Sequence, residues 1–377
     1  RDAAEKALIK LGPSVLGLLP PITPRTAAEV KERLDRVRKE LETASAQSVA
    51  NPTTVTLEGE MSLPEAFIKF EEQTGNRVTG YDRRSGKVQL AFQATPYWQA
   101  IDQLLDQAEL KINEFGGEDQ ALVVMARPEG ELPRFGHAIY TGVFRLEPLR
   151  LEARRDLRNS SVNGMQLAIG VTWEPRLTPI AIRQPLNELE IKDDRGETLA
   201  VSGAQGALNA GIESGMSAVE LNVPLGLPSR EAKKIASVKG RLSVLAPGKM
   251  ETFEFSDLEA ARDVEQERAG VTVTFERLRK NVDLFEARIN VRFEDAANAL
   301  ESHRGWVYRN EAYLLDAKGQ RMENVGLQAT RQETNEVGVA FLFDLPDGAK
   351  GCKFVYKTPA LLLQLPVEFE LKDIDLP

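Results

Sequence analysis

Phe253-Glu254-Phe255-Ser256-Asp257-Leu258 returns near the end of the chain as Phe369-Glu370-Leu371-Lys372-Asp373-Ile374. Upstream, Ile169-Gly170-Val171-Thr172-Trp173-Glu174 returns as Ile289-Asn290-Val291-Arg292-Phe293-Glu294, and Asp194-Arg195-Gly196 as Asp316-Ala317-Lys318-Gly319. From Phe253 to Phe369, Ile169 to Ile289 and Gly196 to Gly319 the offsets are 116, 120 and 123 residues. Near-constant spacing with a small drift is the mark of one duplicated fold with insertions confined to loops. Each copy holds about seven short alternating runs separated by Gly, Asn, Asp and Pro turns, the pattern of an antiparallel sandwich. The copies are placed at 137–262 and 269–377.

Alternation carries the energetic part of this reading. In Ile289-Asn290-Val291-Arg292-Phe293 the odd positions face one way and the polar ones the other. Burying three such side chains gains roughly 1.5–3 kcal/mol each before the entropy of ordering is subtracted. A slip of one residue would turn all three to water, so the pattern fixes register. The charged stretch Ser256 to Arg268 reads as a short linking helix capped by Ser256 or Asp257, and Trp306 to Leu315 reads as a strand.

The chain has 377 residues, too many for one core. A hydrophobic share of 42% supports packed domains. Lys and Arg number 48 against 57 acids, a net charge of −9 that argues against nucleic acid as a partner, because phosphate affinity rests on clustered positive charge. The single cysteine, Cys352, rules out an intramolecular disulfide framework. No apolar run approaches the roughly 20 residues that span a bilayer.

Ahead of the repeats lie two further segments. In residues 54–126, Val55 and Leu57 alternate as a strand, and Ser62-Leu63-Pro64-Glu65 is a capping box opening a helix with Ala66, Phe67 and Phe70 on its inner face. Gly75 is placed to end that helix in the left-handed region. Val78 and Tyr81 mark a strand, Asp82 to Gly86 a turn, and Val88, Leu90 and Phe92 a second strand. Thr95-Pro96 then caps a helix with Trp98, Ile101, Leu104 and Leu105 inward, and a hairpin around Gly116-Gly117 closes the module. In residues 1–43, an apolar helix stops at Gly12-Pro13, and Thr26-Ala27-Ala28-Glu29 caps a helix whose one face carries Ala27, Val30, Leu34, Val37 and Leu41. Thr43 to Thr54 and Arg127 to Pro133 read as linkers.

The phrases "MSLPEAFIKFEEQTGNRV" and "VQLAFQATPYWQAIDQLLDQAELKI" resemble the short domain at the N-terminal side of secretins and TonB-dependent transducers. That resemblance covers about seventy residues and implies a protein-interaction module of a bacterial envelope, placing the chain in the periplasm or envelope. No transmembrane barrel or secretin core follows it. "RDAAEKALIKLGPSVLGLLP" with the capped helix behind it resembles one unit of a HEAT-like helical repeat. A single unit cannot bury its apolar face alone, so either further helices upstream of Arg1 or packing on the next domain is expected.

Candidate sites are few. His137 and His303 are the only histidines, so with one cysteine no ordinary zinc site can be assembled, and a hydrolase triad would have to use one of the two. Phosphate-loop and nucleophile-elbow motifs are absent from the sequence. Asp193-Asp194-Arg195-Gly196 and Asp316 to Gly319 lack the alternating oxygen ligands of a calcium loop and read as hairpin turns. Trp306 and Tyr308, alternating onto one sheet face, form either core packing or a platform for a sugar ring. Arg83-Arg84 with Lys87 is the local basic cluster of the small module, a turn that could touch a partner.

The sequence therefore predicts a multidomain, mainly β protein: a short helical segment (1–43), a small βαββαβ module (54–126) and two tandem antiparallel β-sandwiches. No catalytic residue, cofactor or metal is assigned. The expected role is a non-enzymatic scaffold that binds protein partners, copies of itself included. The alternatives are a carbohydrate-binding or other ligand-binding sandwich protein and, behind it, an unrecognised hydrolase using paired carboxylates such as Asp257 and Glu259.

Overall fold

A computed structural model describes residues 2–21, 26–48, 50–81, 86–114, 116–118, 120–213, 215–293, 304–333, 335–346 and 348–377. The chain is multidomain and mainly β, with a helical N-terminal segment, a small α+β module and two antiparallel sandwiches. Its contacts divide it into two compact units, each discontinuous in sequence. Unit 1 is Arg1–Ser48 with Pro247–Leu363, and unit 2 is Val49–Ala246 with Gln364–Pro377.

In unit 1, α1 (Asp2–Leu11) packs on α2 (Ala28–Ser48). Helix α2 runs five residues past the predicted end at 43. No Gly or Pro interrupts it, and the Thr43 and Ser48 hydroxyls donate back to the carbonyls of Lys39 and Ser45 at 2.7 and 2.6 Å. Val37 and Leu41 are its buried residues, and Lys249 Nζ reaches Glu42 at 2.7 Å.

Unit 2 begins with the module. Strand β1 (Thr54–Ser62) leads into α3 (Leu63–Thr74), where the Ser62 hydroxyl accepts from Glu65 N–H at 3.4 Å and Gly75 ends the helix at φ 70°. Then come β2 (Arg77–Thr79), β3 (Lys87–Pro96), α4 (Tyr97–Gln107), β4 (Leu110–Ile112) and β5 (Ala121–Ala126). Strands β1 and β3 pair antiparallel; β5 lies parallel to β2 and antiparallel to β4. Phe67, Phe70, Trp98, Ile101, Leu104 and Leu105 fill the space between helices and sheets. At the start of α4 the cap position belongs to Pro96 and not Thr95, and no side chain caps it. Instead the Tyr97 N–H donates to Thr53 O at 2.8 Å.

The sandwich of unit 2 continues with β6 (Ile139–Thr141), β7 (Phe144–Arg154), β8 (Gly164–Trp173), β9 (Ala181–Pro185), β10 (Glu190–Asp193), β11 (Ala207–Gly211) and β12 (Ala218–Leu225). One sheet has the order β12-β8-β7-β6, and the facing one joins β11, β9 and β10 to β13 (Lys234–Phe255). Back in unit 1, β14 (Val264–Arg268), β15 (Val271–Asn281), β16 (Leu284–Phe293), β17 (Ala312–Leu315), β18 (Arg321–Glu323), β19 (Gly326–Gln332) and β20 (Glu336–Phe343) build the second sandwich. Its larger sheet has the order β19-β20-β16-β15-β14, so β6-β7-β8-β12 and β14-β15-β16-β20 are the same arrangement twice. Trp173 and Phe293 end corresponding strands, pair with Phe144 and Val271, and are both buried.

The predicted linking helix at Ser256 to Arg268 is absent: its second half is β14, which turns through Ala269-Gly270 into β15. Both turn residues have positive φ (47° and 75°), the geometry that suits a two-residue hairpin. The two Asp-Gly turns also match. Asp193 Oδ1 accepts from Arg195 N and Glu197 N at 2.9 and 2.8 Å, and Asp316 Oδ1 from Lys318 N and Gln320 N at 2.8 Å each. Gly196 and Gly319 both sit at φ 80°.

The repeats end in an exchange of strands. Strand β13 has 22 residues and β21 (Lys353–Asp375) has 23, several times the usual strand length. Up to Ala246, β13 serves the first copy; from Pro247 it belongs to unit 1. There Phe253, Phe255 and Leu258 join the core of the second copy, Phe255 stacking on Phe275 at 5.4 Å between ring centroids. Strand β21 does the reverse, serving its own copy to Leu363 and then giving Gln364–Pro377 to unit 2. The contiguous division expected at 137–262 and 269–377 thus differs from the observed units by one strand each way.

Gly240 marks where the incoming strand docks. A Cβ there would lie 2.5 Å from Cζ of Phe369 and 2.8 Å from Cδ2 of Leu189, so only hydrogen fits beneath the ring. Phe369→Ala is expected to destabilise the protein by about 3–5 kcal/mol in denaturant unfolding. Gly240→Ala should also destabilise, by overpacking. The double variant should cost less than the two single losses combined, because the added methyl enters the space the ring leaves.

Candidate functional site

The face of α4 that packs on the sandwich of unit 2 carries two carboxylates one turn apart, Asp102 and Asp106. Asp102 is fully buried. It accepts from Arg145 Nε at 2.6 Å, Arg134 Nε at 3.0 Å and the Tyr140 hydroxyl at 2.9 Å. Arg145, itself buried on β7, also donates through Nη2 to Glu147 Oε2 at 2.9 Å. Asp106 accepts from Arg127 Nη1 at 2.5 Å and from the backbone N–H groups of Arg134 and Phe135 at 2.8 Å each. The segment expected to be a linker after residue 126 is therefore pinned to α4.

A second polar cluster ties the module to the sandwich at its other end. Buried Glu174 accepts from Thr53 N, Thr53 Oγ1, Asn76 Nδ2 and Arg176 Nε at 3.0, 2.9, 3.0 and 2.7 Å. Trp98 Nε1 donates to Val143 O at 2.9 Å. Such clusters are stable only when every charge has partners, since an isolated ion in a dry interior costs several kcal/mol.

Beside the Asp102 cluster opens a cleft of about 590 Å³. Its walls are the end of β4 and the residues just after it (Lys111 to Glu114), Met125, the 131–137 segment, and Glu147 to Leu149 of β7. Strand β4 presents an open edge there, and β7 an edge interrupted by a proline and a bulge. Strand β4 is the last of its sheet, and β6 covers β7 only as far as Leu146. At Leu149 the register of β7 against β8 shifts, a bulge that comes after Pro148, which has no N–H to donate. Leu132, Met125 and Leu149 are 67%, 43% and 40% exposed around the opening, with Phe135 close by in sequence.

The electrostatics of the cleft are uneven. Lys111 and Glu131 pair at 2.9 Å, and Glu147 is held by Arg145. Glu114 has no ion-pair partner among the described residues. Burial, and then the charge of Glu147, hold its carboxyl above the usual range, against the pull of Arg134, Arg145 and Lys111. Arg134 is nine-tenths buried, yet its Nη2 has no hydrogen-bond partner among the described residues and comes only within 3.9 Å of Glu147 Oε1. Tyr140 has its pKa raised by burial and then by the charge of Asp102, so it stays a neutral donor. Arg145 stays protonated: burial opposes its charge, but Asp102 and Glu147 outweigh that cost.

The residues singled out in the sequence lie elsewhere. Trp306 and Tyr308 fall in a short 3-10 helix, Arg304–Arg309, and not on a strand. With three residues per turn, positions two apart do not share a face. Val307 between them is fully buried, and Trp306 packs edge-on against Phe293 at 5.3 Å. Both side chains pack against the core of unit 1, the core-packing alternative and not the platform, although the strand expected there is not formed. Arg83 and Arg84, like His303, lie outside the described residues. His137 lines the cleft. Among the described residues no group of three or more His, Cys, Asp or Glu is placed to hold a metal ion, and no helix is long and apolar enough to cross a membrane.

The cleft residues escaped notice because each was read inside a hydrophobic pattern. Asp102 stands among Trp98, Ile101 and Leu105 on the inner face of α4, and Arg145 between Phe144 and Leu146. A charge at a core position of each element was the available signal. The chain matches no family model, no curated protein and no solved structure.

Arg145→Met should destabilise the protein by about 3–5 kcal/mol, because it strips a buried carboxylate of its closest cation. Asp102→Asn in the same background should recover part of that loss, as read in urea unfolding.

Proposed function

We propose that the protein is a non-enzymatic structural or interaction protein of the bacterial cell envelope, a scaffold that holds protein partners, copies of itself included. The observation that carries this reading is the cleft of unit 2. It joins the open edge of β4 to a rim of exposed Leu132, Met125 and Leu149, a combination suited to an extended segment of another chain. Most charged groups around it are engaged with one another, which favours holding a partner over moving protons. The likeness of residues 54–126 to the short N-terminal domain of secretins and TonB-dependent transducers points to an interaction module and a periplasmic or envelope location. The HEAT-like character of 1–43 also points to protein contacts.

Size-exclusion with light scattering at several concentrations, combined with cross-linking in envelope extracts, tests the proposal. Concentration-dependent assembly, or a reproducible cross-linked partner, is the expected result. A strict monomer that gains no partner would overturn it.

A further inference from the structure

The geometry points to a specific occupant for the cleft of unit 2: an extended segment of a partner protein in which apolar side chains alternate with lysine or arginine. This rests on the interaction reading above and deepens it. Three features define the segment.

The first is the open backbone. Among the described residues β4 is paired only with β5, so one side of the cleft offers an unpaired strand edge, while on the other Pro148 and the bulge at Leu149 leave β7 as a wall and not a second template. An added strand would satisfy backbone groups that otherwise rely on water.

The second is the apolar rim. Met125, Leu132 and Leu149 come from three different segments and leave much of their surface in solvent. An extended chain repeats its side-chain direction every two residues, so alternate apolar residues would meet this rim.

The third is charge complementarity. Glu114 lines the cleft as a half-buried carboxylate without an ion-pair partner among the described residues. Glu131 and Glu147 are beside it, and Lys111, Arg134 and Arg145 are the cations that face it. Lys111 is engaged by Glu131, and Arg145 by Asp102 and Glu147. A lysine or arginine from outside supplies the missing partner for Glu114. An acidic segment would instead set a like charge beside Glu114, a repulsion that sets specificity.

The test uses the full chain and fluorescein-labelled peptides of about ten residues, long enough to lie along one strand. One alternates leucine with lysine and the other leucine with glutamate. Fluorescence anisotropy should show saturable binding of the Leu/Lys peptide and none of the Leu/Glu peptide. Glu114→Gln should weaken binding about tenfold, and Leu149→Glu by at least as much. Both positions are solvent-accessible, and circular dichroism would confirm that the variants fold.

Equal binding of the two peptides, no binding of the Leu/Lys peptide, or binding that both variants leave intact would each overturn the inference. The last outcome would mean only that an acidic protein attracts cations. Assembly or partner cross-linking that persists in Leu149→Glu would sink the cleft assignment and leave the scaffold reading standing.

Discussion

Hydrogen bonding along the two long strands is the constraint from which the architecture derives. At 22 and 23 residues, β13 and β21 are each several times the usual strand length. Every buried N–H and C=O along that length must find a partner. A sandwich with strands of about ten residues can satisfy only half of such a strand. The chain resolves this by ending each repeat in the core of the other, so that Phe253 and Phe255 complete one sandwich and Phe369 and Leu371 the other. Each unit consequently depends on residues far from it in sequence, and neither repeat taken as a contiguous stretch is a complete core.

The second organising term is buried charge. Asp102, Arg134, Arg145 and Glu147 form a chain of ion pairs in which each later residue answers the desolvation of an earlier one. Because breaking one member leaves a charge stranded, the cluster specifies a single way for α4 to meet β7. The cleft inherits its shape from that fixed meeting. Glu114, which has no ion-pair partner among the described residues, is where the neutralisation stops.

Much of the fold was legible because period-two alternation and turn chemistry are local. Ile289, Val291 and Phe293 are buried along β16 as the pattern requires, and Ser62 and Gly75 bound α3 through a cap and a left-handed residue. The destination of the last strand of each repeat was not legible. Phe253-Glu254-Phe255 shows which face is buried and says nothing about which sheet buries it. For Trp306 and Tyr308 the core packing was legible but the backbone was not, since two aromatics two residues apart suit a strand equally well until the backbone is seen to coil. Of the cleft, only His137 had been noticed, because Arg145 and Asp102 have meaning only as a pair separated by 43 residues.

Edge strands elsewhere in the molecule show what an edge shielded from pairing looks like. Strand β19 is exposed along nearly its whole length and carries Gln328, Thr330, Arg331 and Gln332; β14 carries Glu265, Gln266, Glu267 and Arg268. Charge and polarity of this kind keep other chains away. At the cleft the free edge of β7 is guarded by other means: Pro148 has no N–H to offer and the bulge at Leu149 breaks the ladder, while the Leu149 side chain stays 40% exposed. Beyond it, Arg150 pairs with both Glu152 and Glu220, restoring a charged surface. What sets the cleft apart from β14 and β19 is therefore not an unguarded backbone but its rim, where Leu132, Met125 and Leu149 from three separate segments keep 67%, 43% and 40% of their surface in water beside charged groups that are mostly paired with one another.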